Sequence, residues 1–330
     1  MKRLAYIGTA VGLLLLTALV AYEGWPAILA AFQRAGWLLL LLVPFHLVPL
    51  TFDILAWREL LEPIDPERRA NRVFLLWVAS VREAVSRLLP AVGIAGEVVG
   101  VRLVRMRLAD TTAITAVIIV EVMVTIAVLY LFCGLGVILI AHIAAGVGEV
   151  WLIAASLVLS APLPVLAYWL LRHGNVFARL QAWTGKLLGP ESRLTTSLDG
   201  ARLDAEVGLL FSRPRRLARA LGWQIIGYLA GCFETWYALE LLGHPVDVQR
   251  AIAIEALTQA ARHATFLVPA GLGVQEAAVM LFGYLAGVGG ELALSLALVK
   301  RMREILFGVP ALLSWQWVEA RRMRGHVAAR

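Results

Sequence analysis

Residues 151–171 form a run of twenty-one positions without a charge, and that run limits the fold more than any other feature of the chain. A helix rises 1.5 Å per residue, so about 20 apolar residues cross the roughly 30 Å hydrocarbon core of a bilayer. Comparable stretches recur. Residues 4–22 are uncharged behind Lys2 and Arg3, and 35–57, 111–140, 221–242 and 291–318 are long and mostly apolar. Backbone groups inside lipid must find partners within the chain, which leaves helices for such segments. The 330 residues are 60% hydrophobic, with a mean hydropathy of +0.79, where soluble domains hold about 45–50% apolar residues. The prediction is an all-α polytopic membrane protein, a single integral membrane domain over 1–330. The first run is read as a retained helix, because Leu19 and Ala21 make a poor small-x-small cleavage site for a signal peptide.

Two segments break the pattern in the same way. Residues 90–101 read PAVGIAGEVVGV and residues 269–280 read PAGLGVQEAAVM. Each has proline first, then glycines (Gly93 and Gly96; Gly271 and Gly273), then a glutamate (Glu97; Glu276). Proline and glycine interrupt a helix, and a carboxylate at membrane depth costs about 3 kcal/mol or more. Pro90 and Pro269 are 179 residues apart, about half the chain. If 71–89 with 94–101, and 251–268 with 274–286, are re-entrant hairpins, about six full spans remain and both termini lie in the cytoplasm. Of the 30 Lys and Arg, 22 then fall in cytoplasmic stretches and only Arg34 and Arg250 outside, as the positive-inside rule asks. The other six, Arg82, Arg87, Arg262, Lys300, Arg301 and Arg303, sit at membrane depth.

On this topology the hairpins are opposed, entering from opposite sides. Span, broken hairpin and charged span form an inverted repeat, first at about 35–140 and again at about 220–318. Matching Gly/Pro-interrupted segments in such a repeat point to a transport site where the broken helices meet. Between the repeats, residues 172–219 are expected to form a cytoplasmic amphipathic connection. VFARLQAWTGKLL within it has the pattern of an interfacial helix on anionic lipid.

Glu97 and Glu276 stand a few residues into helices that start after glycine. Such a carboxylate complements the positive end of a helix dipole, by about 0.3–1 kcal/mol when exposed. It also suits a proton or headgroup site between half-helices. Arg82, Arg87 and Arg262 on the entering arms suit bidentate phosphate contacts, or buried ion pairing that holds the hairpins. The expected substrate-binding set is therefore Glu97, Glu276, Arg82, Arg87 and Arg262, with Gly93, Gly96, Gly271 and Gly273. Arg82 and Glu83 are adjacent and cannot face each other, so each needs another partner. Lys300, Arg301, Arg303 and Glu304 put four charges within five residues of a span, with Arg301 and Glu304 at i,i+3. Glu121 follows Glu97 by 24 residues, as Lys300 follows Glu276. Glu121 is accordingly expected to neutralise Lys300, Arg301 or Arg303. His46, Asp53 and His142 are lone polar residues and read as structural.

A net charge of +7 in a soluble protein would suggest nucleic acid. Here the basic residues flank apolar spans, so anionic lipid headgroups are the expected partners and nucleic acid is not. Cys133 and Cys232 lie in apolar runs and suggest neither a disulfide framework nor a metal site. No Gly-rich phosphate loop, HExxH or GxSxG is present, so no nucleotide, metal or other cofactor is expected.

VREAVSRLLPAVGIAGEVVGVRLVR at 81–105, with VPAGLGVQEAAVMLFGYLAGV at 268–288 and ALVKRMREILFGVPALLSWQ at 297–316, resembles a known family. This is the lysylphosphatidylglycerol synthase transmembrane, or flippase-like, superfamily, and within it the branch associated with hopanoid biosynthesis. The resemblance covers about residues 35–318. It implies a lipid transporter of the bacterial inner membrane, with a hopanoid or phospholipid as cargo. A homo-oligomer and lipid-synthesis proteins are further partners to expect. The bifunctional synthases carry a soluble aminoacyl-transfer domain, whereas this chain ends about a dozen residues after its last predicted span. That activity is not expected here, and no other enzymatic one. The alternatives are a non-transporting accessory protein or intramembrane enzyme of lipid or hopanoid biosynthesis, using Glu97 and Glu276 as acid–base groups, and a channel or small-solute carrier.

Overall fold

A computed structural model of the chain describes residues 36–89, 94–143, 149–188, 199–265 and 273–328, with the single positions 33, 268 and 271. The predicted span at 4–22 and the break residues Pro90, Gly93 and Pro269 lie outside these. Among the described residues there is no strand.

Helix α1 is the apolar span Gly36–Leu61, which opens as a 3₁₀ turn at Gly36–Leu41. Helices α2 (Arg72–Leu88) and α3 (Ala95–Val104) form the first hairpin, and α4 (Thr111–Ile143) is the long span after it. Helices α5 (Glu149–Ser160) and α6 (Pro162–His173) divide the stretch 151–171, which sequence reads as one span. The break falls at Ala161, with Pro162 as the first residue of α6, where a missing N–H leaves no hydrogen bond unmade. Helices α7 (Val176–Leu188) and α8 (Gly200–Phe211) make the connection between the halves. The second half repeats the order: α9 (Pro214–Leu241), the hairpin α10 (Val248–Ala264) and α11 (Val274–Leu285), then α12 (Gly290–Ala328).

Local chemistry explains the hairpin ends. The Asn71 side chain accepts the Phe74 N–H at 2.9 Å and starts α2, and Asp247 accepts the Arg250 N–H at 2.8 Å and starts α10. At 17 residues each, α2 and α10 are about 26 Å long, and α3 and α11 are shorter still, so no arm crosses the roughly 30 Å core alone. The two arms of each hairpin pack on each other instead. In the first, Gly96 and Gly100 lie against Arg82. A Cβ on Gly96 would stand 2.7 Å from the Arg82 carbonyl oxygen and 2.3 Å from Ser86 Oγ. This is the close backbone approach that small residues allow between membrane helices.

The halves interlock. The first arm of each hairpin packs on the long span of the other half, α2 on α12 and α10 on α4, while α1 packs on α9. Exchanging the halves maps the first two contacts onto each other and the third onto itself, which is the contact pattern of a pseudo-two-fold molecule. One apolar core surrounds each hairpin. Trp57, Leu61, Leu75 and Ile114 belong to the first, and Ile140, Leu239, Ile254 and Val279 to the second.

The connection is less peripheral than its pattern suggests. Helix α8 buries Leu203, Val207, Leu210 and Phe211 and packs on α4. The Asp204 carboxylate accepts the N–H groups of Phe177 and Ala178 at 3.2 and 2.8 Å, which ties the start of α7 to α8. Leu180 and Trp183 on α7 stay exposed, as an interfacial helix requires.

Candidate functional site

A charged side chain away from water needs a partner, and α12 finds one for each of its four from a different helix. Lys300 pairs with Glu255 of α10. Arg301 Nη2 lies 2.8 Å from Glu276 of α11, and its Nη1 lies 2.9 Å from Glu304 one turn on. Arg303 Nε lies 2.7 Å from Glu234 of α9, with Glu83 of α2 at 3.4 Å from Nη1. Glu304 Oε1 accepts from both Arg87 of α2 and Arg262 of α10, each at 3.2 Å. One carboxylate oxygen therefore joins the entering arms of the two hairpins.

The first hairpin has its own cluster. Arg82 Nη1 donates to both oxygens of Glu121 at 3.1 Å, and its Nη2 donates to Glu97. The guanidinium also stacks over the buried Trp57 ring, 4.6 Å from the centroid. Glu83 faces the other way, to His46 at 2.7 Å and to Arg87 at 3.5 Å. The adjacent Arg82 and Glu83 thus take separate partners, as their spacing on the helix requires.

Arg82, Glu83, Arg87, Glu97, Glu121, Glu255, Arg262 and Arg303 line a cavity of about 650 Å³ beside the interior of α4. Both halves supply its walls: His46, Asp53, Arg82, Glu97 and Glu121 from the first, and Gln224, Glu234, Glu255, Arg262 and Arg303 from the second. Apolar side chains such as Leu50, Ile126 and Leu129 complete it. Among the described residues no group of three His, Cys, Asp or Glu is placed to hold a metal ion.

Three expectations change. Glu121 pairs with Arg82, whereas Lys300, Arg301 and Arg303 take Glu255, Glu276 and Glu234. The matching offset of Glu121 and Lys300 marks equivalent positions of the two halves. Equivalent residues meet only if the axis passes between them, and here each turns to the first arm of its own hairpin. Glu276 is fully buried and does not line the cavity, unlike Glu97, whose side chain is 30% exposed. Its Oε2 accepts the Gly273 N–H at 2.8 Å and its Oε1 accepts from Arg301, so the helix start and an arginine occupy both oxygens. It acts as a cap and an ion-pair partner, not as a group open to a headgroup. Gly96 likewise packs α3 on α2 and does not line the cavity. Gly271 and Gly273 take positive φ values of 59° and 77°, a conformation that glycine adopts without strain. Gly271 lies on the cavity wall beside the Arg262 guanidinium, and Gly93 is outside the described residues.

His46 and Asp53, read as structural, both reach the cavity, and Glu255, Gln224 and Gln259 join them unannounced. The signal for Glu255 is only a charge in an otherwise small and apolar stretch, AIAIEALTQAA.

Spans, two interlocked broken hairpins and a charged cavity between the halves define a polytopic helical membrane protein with a buried polar site. The chain belongs to the family described as Lysylphosphatidylglycerol synthase TM region, whose model matches residues 6–311. It is thereby a multi-pass membrane protein of lipid handling. Comparison with curated proteins and with solved structures gave no significant match.

Proposed function

We propose that the chain is a lipid transporter of the bacterial inner membrane, with both termini cytoplasmic, moving a phospholipid or a hopanoid between leaflets. The observation that carries this reading is the charged cavity walled by both hairpins. A polar headgroup loses its hydration on entering the hydrocarbon, and a lining of guanidinium and carboxylate groups replaces those contacts. Acyl chains need no such help and remain in lipid. Because the two halves interlock across the cavity, a small rocking of one against the other would change the side from which it is reached. With no nucleotide motif in the sequence, movement runs down a gradient or is passive.

The test is leaflet exchange of labelled phospholipids and hopanoids in proteoliposomes. Wild type should accelerate exchange, Arg262→Gln should reduce it at least fivefold, and Leu313→Val, on the exposed surface, should match wild type. If wild type accelerates no lipid, with or without a proton gradient, transport fails as the function. The accessory or intramembrane-enzyme reading then takes its place, since Asp53 and Glu97 still offer carboxylates to the cavity.

A further inference from the structure

The cations on the cavity wall are shared unevenly among its carboxylates. Asp53, Glu97 and Glu121 gather at one end, and among the described residues Arg82 is the cation there, paired with Glu97 and Glu121. Three carboxylates share one guanidinium. Among the described residues Asp53 has no ion pair, only a 3.5 Å contact from Gln224 Nε2. Gln224 is 2% exposed and lines the same wall, and its Nε2 also donates to Thr125 Oγ1 at 3.1 Å. A carboxylate only accepts, so the amide nitrogen faces Asp53 and the amide oxygen is left over. That oxygen, Gln224 Oε1, is buried without a partner among the described residues. A buried acceptor without a donor is unfavourable, and a ligand N–H would satisfy it.

Elsewhere on the wall Arg87 and Arg262 converge, with Glu83 at 3.5 Å from Arg87 Nε. Arg87 and Arg262 both reach Glu304 Oε1 through Nη1, while Arg301 holds Oε2. Among the described residues no group accepts from Nη2 of Arg87 or of Arg262, and both side chains line the cavity. Two forked guanidinium groups converging on one point suit a phosphate, which can offer each a separate oxygen. Arg82 and Arg87 are five residues apart on α2, about 7.5 Å along the axis and about 140° around it, and both line the one cavity.

We propose that this cavity takes the headgroup of an amine-bearing zwitterionic phospholipid of the phosphoethanolamine type, its phosphate at Arg87 and Arg262 and its ammonium at Asp53, Glu97 and Gln224. A phosphoglycerol headgroup would set hydroxyls before surplus carboxylates. A choline headgroup has no N–H for Gln224 Oε1, and a hopanoid without phosphate leaves the arginine pair unused. The inference deepens the lipid-transport reading and rests on it for the membrane-bound source of the headgroup.

Binding to the purified full chain in detergent tests it apart from transport, using dihexanoyl lipids with ethanolamine, choline or glycerol headgroups. The ethanolamine lipid should bind at least tenfold more tightly than the other two. Asp53→Asn strands no cation and should bring that affinity down to the glycerol value, whereas Arg87→Gln should weaken all three lipids alike. Equal or tighter binding of the glycerol lipid, or a preference that survives Asp53→Asn, overturns the proposal. Free phosphoethanolamine should bind at least tenfold more weakly than the lipid, and equal affinity would assign the site to a soluble ligand instead. Sodium or potassium that stabilises the protein as much as the ethanolamine lipid would reduce the acidic end to a cation site. If binding shows the preference while proteoliposomes exchange no lipid, transport falls and the headgroup assignment stands. Exchange without the preference sinks the assignment alone.

Discussion

Lys300 and Glu255 are 7% and 6% exposed and hold each other between α12 and α10. Two buried charges of opposite sign add little net stability, but removing one strands the other at a cost of about 3–5 kcal/mol. Thr235 and Gln259 also donate to Glu255, so its carboxylate is fully engaged. Glu255→Gln should therefore lower the melting temperature in detergent markedly. Adding Lys300→Met should recover part of the loss, because the stranded ammonium is then gone. A double variant no more stable than Glu255→Gln would mean that the ion pair is not the source of the loss.

The hairpins depend on close packing as much as on charge. Gly96 brings α3 onto the backbone of α2, and a methyl there meets a carbonyl oxygen that no rotamer change moves away. Gly96→Ala should loosen the hairpin and destabilise the chain by about 1–3 kcal/mol, the range for overpacking a tight contact. Gly222 on α9 has nothing within 4 Å of its would-be Cβ. Gly222→Ala should be neutral or stabilise by up to about 1 kcal/mol, because alanine is the better helix former. Thermal unfolding of the two variants side by side checks this, and equal effects would remove the packing argument.

For the molecule as a whole, Glu304 is one of the joints at which the two halves meet electrostatically, holding Arg87 from one hairpin and Arg262 from the other, beside the Arg303–Glu83 pair. Glu304→Gln should raise hydrogen exchange in α2 and α10 together, and a rise confined to one hairpin would show that it does not join them. The proposed topology carries its own prediction. Single cysteines near Arg105 and Arg250 should label from opposite sides of the membrane, since 22 of the 30 basic residues fall on one side in that arrangement. Labelling of both from the same side would overturn it.

Sequence alone determined the class of fold and the outline of its elements. Uninterrupted apolar runs dictate spans, and Asn71, Asp247 and the glycines at 271 and 273 set helix boundaries through local hydrogen bonds and backbone freedom, which act within a few residues. It also showed that the charges within the apolar segments must be paired, because burial without a partner is costly wherever the partner lies. Which charge meets which was decided by the tertiary structure. Arg82 finds Glu121 and Glu97, Lys300 finds Glu255, and Glu276 turns inward to Gly273 and Arg301. Spacing along one helix fixes the face that a side chain occupies, but a pair between helices depends on how the interlocked halves rotate and slide against each other. The cavity arises at that same level, so His46, Asp53 and Gln224, unremarkable in their own segments, become parts of one site only when the two halves close around them.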